Sequence, residues 1–189
     1  MKRPFISIII PSLNEEKYIE NCLKSIRNQD YENYELIVSD GGSKDKTVKI
    51  AEKYADKVII CKKRGIAFGR NEGARNSRGE IFVFVDADTI LLPDTISKVV
   101  KSFRKNVIGA TCPILPLSPK ARDYFLFWTA NQFVRNSLKF NSPKVFGCFC
   151  AFRKDEFERV GGFNEKFKTL EDFDLAERIS KLGEIVFVE

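Results

Sequence analysis

A single α/β domain with a largely parallel central sheet flanked by helices is the fold this sequence predicts, and two observations carry the prediction. Short apolar runs of strand length alternate with stretches of helical periodicity along the whole chain. The length, 189 residues, suits one domain spanning 1–189. A chain of that size buries roughly 70% of its unfolded surface and needs no disulfide or metal to hold a core. Composition agrees, with 43% hydrophobic and 31% charged residues, the balance of a soluble globular protein. No apolar run approaches the ~18–20 residues of a membrane span. The first ten residues read as a strand rather than a signal peptide, because no small-residue cleavage site follows.

Taken in order, 5–10 (FISIII) is a buried strand stopped by Pro11. Asn14 then caps a helix whose first turn holds Glu15 and Glu16 and whose apolar face is Tyr18, Ile19, Cys22, Leu23 and Ile26. A second strand at 34–39 ends in the turn Asp40-Gly41-Gly42-Ser43, followed by a helix at 47–55 and a strand at 58–61. A helix at 66–76 is ended by Gly79. The five apolar residues 81–85 (IFVFV) suit a central strand covered on both faces. Pro93 and Asp94 open a helix with Ile96, Val99, Val100 and Phe103 at i, i+3, i+4, i+7 spacing. A strand at 107–114, an unusually aromatic helix at 121–138, a strand at 145–152, a helix at 173–182 and a last strand at 185–188 complete the expectation.

Two features of the composition narrow the chemistry. There is no histidine, which excludes Ser-His-Asp and Cys-His catalysis, His-zinc sites and a histidine base. The cysteines at 22, 61, 112, 148 and 150 are odd in number and lack CxxC spacing, so they read as buried thiols of a reducing compartment.

The sharpest local signal is Asp86-Ala87-Asp88, directly after 81–85. Residues i and i+2 of an extended chain face the same side. Two carboxylates therefore converge at the carboxyl end of a central strand, where open α/β sheets bind ligands. Such hard oxygen donors suit Mg²⁺ or Mn²⁺, with a diphosphate completing the shell, although two aspartates ending a strand also cap a turn. Glu171-Asp172 opens a helix, where carboxylates complement the dipole. In a chain without histidine, such a group is also the available general base. Asp40 ends the second strand, either as a nucleobase acceptor or as a simple turn residue. Arg70 offers a fork of donors to a diphosphate, or stands as an exposed helical arginine. The glycines at 65–73 do not form GxGxxG and Gly41-Gly42-Ser43-Lys44 is not a P-loop, which excludes both nucleotide fingerprints.

In order and spacing these pieces resemble the family 2 glycosyltransferases, inverting enzymes of the GT-A fold. The matching stretches are SIIIPSLNEEKYIENCLKSI, YELIVSDGGSKDKT, GRNEGARNSRGEIFVFVDADT and VGGFNEKFKTLEDFDLAERI. The resemblance implies a Rossmann-like sheet and transfer of a sugar from a nucleotide-diphosphate-sugar donor, UDP- or GDP-linked, with Mn²⁺ or Mg²⁺. Pro11, Asn14 and Glu15 would belong to the nucleotide-contacting loop. Asp40 would hold the base, Arg70 the diphosphate, Asp86 the ribose and metal, and Asp88 the metal. Gly161, Gly162, Phe163 and Glu171 would lie on the acceptor side, and Asp172 would be the catalytic base. Where many members have Asp-Asp-Gly-Ser this chain has Asp-Gly-Gly-Ser, so Gly41 replaces the second acid. The Gln-x-x-Arg-Trp motif of processive synthases is missing, since the one tryptophan is Trp128, so long-polymer synthesis is not expected. The rival readings are a nucleotidyltransferase, whose Gly-rich basic loop after the first strand is absent, and a catalytically silent nucleotide-sugar-binding domain. The chain is expected to be a catalytic unit, whole or cut at its C-terminal edge.

Charge is unevenly placed. Residues 98–154 hold 11 Lys/Arg against the single acid Asp123, together with ten aromatics, whereas 155–189 is acidic. One reading is core packing on one side with solvated lysines on the other. The functional reading lays 121–138 on an anionic membrane surface, to meet a polyprenyl-phosphate or glycolipid acceptor. Nucleic acid is not expected as a partner, because no recognised module supports it. The expected location is the cytoplasm, with a peripheral position at the cytoplasmic membrane face on the second reading.

Overall fold

The computed structural model describes residues 3–140 and 142–189. Its strands are β1 (Ile6–Ser12), β2 (Tyr34–Asp40), β3 (Lys57–Ile60), β4 (Ile81–Val85), β5 (Val107–Thr111), β6 (Phe149–Arg153) and β7 (Glu184–Phe187). Its helices are α1 (Ile19–Arg27), α2 (Thr47–Ala51), α3 (Ile66–Arg75), α4 (Thr95–Ser102), α5 (Ala121–Lys139), α6 (Lys154–Arg159) and α7 (Glu171–Ile179). The strands form one seven-stranded sheet in the order β3-β2-β1-β4-β6-β5-β7. Only β6 runs against its neighbours β4 and β5, so the expected largely parallel sheet holds.

Two apolar layers cover the sheet. One is built on α1 and α4, with Leu23, Ile26, Ile96 and Val99 against Ile8, Ile10, Val83 and Val85. The other gathers Ile9, Phe82, Phe84, Phe152, Phe157, Phe163 and Leu175. Alternate residues of β4 thus feed opposite layers, which is why all five are apolar and buried. Helix α3 lies very close to β1 and β2, because Gly69 and Gly73 turn a face without side chains to them. A Cβ on Gly73 would collide with Ile9, and one on Gly69 would press on Pro11 at 3.3 Å.

Several boundaries differ from expectation for identifiable reasons. β1 continues through Pro11 to Ser12, because its pairing to β4 ends at Ile9 and Pro11 faces only β2. Asn14 does not cap α1, which begins at Ile19. It adopts the left-handed region at φ 57 and ties the β1–α1 loop to the β2–α2 loop, its backbone N–H donating to Ser43 Oγ and its Oδ1 accepting from Lys44 N. β5 ends at Thr111, before Pro113. The strand expected at 145–152 starts only at Phe149, and 146–148 form a turn instead. α6 was not foreseen; α7 starts two residues early, so Glu171 and Asp172 stand in its first turn.

Candidate active site

The carboxyl ends of β1, β2 and β4 lie side by side, and three acidic positions arrive there directly from the strands. Ala87 is buried between a partly exposed Asp86 and an exposed Asp88. The strand ends at Val85 and the chain turns at 86–89, Thr89 N–H donating to the Asp86 carbonyl, so the extended spacing expected of the two aspartates gives way to a turn that still brings their charges together. Burial raises the Asp86 carboxyl above the ordinary aspartate range despite the nearby Arg70, and the charge of Asp88 adds to the rise. Glu15 is raised as well, first by burial and then by Asp88, Asp45 and Asp86, which places the Pro11–Glu15 loop in the field of the strand-end acids.

Arg70 is the centre of the constellation and is only 1% exposed. Its guanidinium donates to Glu171 Oε1 at 2.7 Å, to Asp86 Oδ1 at 2.8 Å and to the Gly147 carbonyl at 2.8 Å. The Phe163 ring lies beneath it, 5.1 Å from the guanidinium carbon. Neither the diphosphate-facing arginine nor the exposed helical one fits this geometry. The bare face of α3 draws the helix onto the sheet, and the next residue along is carried into the interior. There it holds Asp86 of the β4 end and Glu171 of α7 in fixed relation.

Asp172 stands beside this hub. Leu170, at φ 64, turns the chain sharply into α7. Glu171 then enters the interior at 5% exposure, while Asp172 stays half-buried, its Oδ1 accepting from Phe173 N at 2.9 Å. Burial pushes the Asp172 carboxyl up, and the adjacent Glu171 charge pushes it further. Gly147 is what lets the parts close. A Cβ there would stand 2.9 Å from Asp172 Oδ2 and 3.1 Å from an Arg70 terminal nitrogen.

Asp40 has a different surrounding from the one expected. It is fully buried, with Oδ1 accepting from Gly42 N and Ser43 N and Oδ2 from the hydroxyls of Ser12 and Ser43. All of its bonding is spent on shaping the loop at 41–43. Phe163 likewise packs edge-on against Phe84, at 4.9 Å, rather than facing an acceptor space. The left-handed Gly161 and Gly162 bend the chain around Asn71, whose side chain bonds the N–H and carbonyl of Phe163 at 2.9 Å each, and Arg178 holds the Val160 and Gly162 carbonyls.

Asn71, Gly147 and Arg178 escaped the sequence reading. For the first, the signal was available: Gly69 and Gly73, four residues apart, mark a buried helix face. The thiols offer no alternative chemistry, since burial pushes Cys22, Cys112 and Cys148 to about 12. A recess of about 730 Å³ along α5 and β7, lined in part by Arg135, Lys139, Ile185 and Phe187, holds none of these site residues.

The description glycosyl transferase family 2 matches residues 7–161, most of the chain. The chain belongs to that family. It is 28% identical over 195 residues to an uncharacterized glycosyltransferase of Rickettsia typhi, covering 97% of this chain and 61% of that one. It is 36% identical over 110 residues to a dolichyl N-acetyl-alpha-D-glucosaminyl phosphate 3-beta-D-2,3-diacetamido-2,3-dideoxy-beta-D-glucuronosyltransferase of Methanococcus voltae, covering 53% of this chain and 34% of that one. Among solved structures, the mannosyltransferase PcManGT of Pyrobaculum calidifontis, in complex with GDP-Man and Mn²⁺, superposes with a TM-score of 0.81 at 26% identity, covering 99% of this chain and 55% of that one. The fold is GT-A. The chain thus spans less than two thirds of the length of these relatives.

Proposed function

We propose that this chain transfers a sugar from a nucleotide-diphosphate-sugar donor, UDP- or GDP-linked, to a hydroxyl or phosphate acceptor, with inversion and with the help of Mn²⁺ or Mg²⁺. The observation that carries the proposal is the meeting of Asp86, Glu171 and Asp172 around one buried arginine at the carboxyl ends of the strands. Asp86 and Asp88 would hold the cation. Among the described residues no three or more His, Cys, Asp or Glu side chains stand together as a metal cage. Two aspartates, one of them with an oxygen already given to Arg70, fit a cation whose remaining ligands are diphosphate oxygens and water. When bound, the cation supplies charge neutralisation for the departing nucleoside diphosphate. The Mn²⁺ and GDP-Man in the related mannosyltransferase support this reading.

The chain's own residues do the rest. Asp172 takes the proton of the attacking acceptor oxygen, and its raised carboxyl makes it a stronger base than an ordinary aspartate. Glu171 is locked to Arg70, Asp86 is partly engaged there, and the thiols stay protonated, which leaves Asp172 as the carboxylate beside the hub available to take a proton. The proposed course is a single displacement with inversion, the acceptor oxygen attacking from the side opposite the departing nucleoside diphosphate while Asp172 takes its proton. Pro11, Asn14 and Glu15 border the nucleotide, and Asp40 acts by setting the 41–43 loop against which the base rests. Gly161 and Gly162 shape the acceptor side through backbone alone. A lipid-linked acceptor is supported by the dolichyl N-acetyl-alpha-D-glucosaminyl phosphate named for the Methanococcus voltae relative.

Calorimetry of UDP and GDP binding with and without Mn²⁺ tests the donor site. Asp88→Ala should weaken Mn²⁺-dependent binding by about tenfold or more. Unchanged Mn²⁺-dependent affinity would remove Asp88 from the cation site.

A further inference from the structure

Helix α5 is anchored only along its inner side. Val134 is buried, and the Asn131 amide bonds both the N–H and the carbonyl of Ile114, at 2.9 and 2.8 Å. Leu138 packs against the core and Arg135 lies over Phe187, but much of this 19-residue helix, about 28 Å long at 1.5 Å per residue, is turned outward. Positions 122, 125, 126, 129, 133, 136 and 140 follow the helical period on that outer side, and four of them are large and apolar. Phe125, Leu126 and Phe133 are 56–63% exposed and Phe140 is 78% exposed. Trp128 stacks on Phe125 with ring centroids 6.1 Å apart, and Leu117, just before the helix, is 78% exposed. A helix that is apolar on both its inner and its outer side has only half of its partners within the described residues.

The charge around this face identifies what covers it. Between residues 95 and 154 the one acid is Asp123, and it is paired with Arg122 at 3.2 Å. Lys120 and Lys139, at the two ends of the helix, are exposed. A second copy of the same face would bring like charges together. An anionic bilayer offers both an apolar boundary for aromatic rings and phosphates for flanking cations. No helix among the described residues is long and apolar enough to cross a membrane. The face also adjoins the chemistry, since the Phe133 ring lies 6.3 Å from that of Phe173, the residue after Asp172.

We infer that the outer face of α5, with Leu117, lies flat on an anionic phospholipid surface and brings Asp172 to the level of the headgroups. This goes beyond the donor chemistry and stands independently of it.

Trp128 is the only tryptophan, so its emission reports on this face directly. The probe is a vesicle of phosphatidylcholine with about one third phosphatidylglycerol, at about 50 mM salt, against pure phosphatidylcholine. Expected are a blue shift of Trp128 emission and flotation of most of the protein with anionic vesicles. Flotation should fall about fivefold or more on neutral vesicles or at high salt. Phe125→Ser combined with Leu126→Ser should abolish both signals while leaving the thermal midpoint in place. Asp88→Ala should float like the parent, which separates this test from that of the donor site. Protein that stays unshifted at the bottom of the gradient overturns the inference. So does a dimer in solution that the double substitution dissolves without any vesicle binding, because a second copy would then be the cover.

Discussion

The carboxyl-end loops of β1, β2 and β4 and the outer face of α5 solve opposite problems with similar numbers of residues. In the first region nearly every buried polar group is tied down, Arg70 Nε being the exception. Asp40 accepts four hydrogen bonds, and Arg70 gives three strong ones to Asp86, Glu171 and Gly147. In the second, Phe125, Leu126 and Phe140 touch little, and the charges are spread along the ends of the helix. The difference separates what the protein must hold from what it must leave free. A prearranged polar frame would suit the charged donor proposed here, whereas a soft apolar partner would need only an uncovered surface.

The comparison breaks first at its catalytic edge. Asp172→Asn should lower turnover by about 10²–10⁴-fold with donor affinity nearly intact, and normal turnover would remove Asp172 as the base. The same change probes burial. The Asp172 carboxyl titrates higher in the fold than in the unfolded chain, so ionising it costs stability as pH rises through the folded pKa. At neutral pH the neutral isostere should therefore raise the melting temperature by roughly 1–3 °C. In the parent enzyme the acid limb of kcat/KM should lie above the ordinary aspartate range, since the base works only when ionised.

Next in size is the polar frame itself. Arg70→Leu leaves the buried Glu171 and the partly buried Asp86 without their cation, a change that costs about 3–5 kcal/mol in comparable buried pairs. Urea unfolding measures it, and a loss below ~1 kcal/mol would mean that the hub is not structural. At the small end, Phe125→Ser should shift stability by no more than about 0.5 kcal/mol, as for an exposed side chain without a special role. A loss as large as that of Arg70→Leu would show that the outer face of α5 is packed, and the contrast between the two regions would vanish.

Much of the frame was legible in the sequence, and the reasons are particular. β4 could be read to the residue because a strand buried on both faces has no alternation to blur its ends. Asp86 was legible as the residue that follows the end of β4, but Asp88 reaches the same place through the turn at 86–89 and not through strand alternation. Arg70 was misread because its burial depends on Gly69 and Gly73 letting α3 approach the sheet, a consequence of what is missing from the helix rather than of Arg70. Gly147 carried no signal of its own, for a glycine's purpose is visible only once Asp172 and Arg70 stand on either side of it. Asn14 looked like a helix cap because capping and left-handed turns favour the same short polar side chain.

The hub also bears on how the molecule is put together. Arg70 finds Asp86 16 residues along the chain, the Gly147 carbonyl 77 along and Glu171 101 along. The strands β1 to β4 can pair from residues 6–85, but the guanidinium keeps an unmet partner until α7, about a hundred residues beyond Arg70, has been synthesised and has returned across the sheet. Emergence of the chain and completion of the charge balance are thus set far apart in time. The loops after β1, β2 and β4 can take shape early, while Asp172 is delivered by a segment that arrives much later.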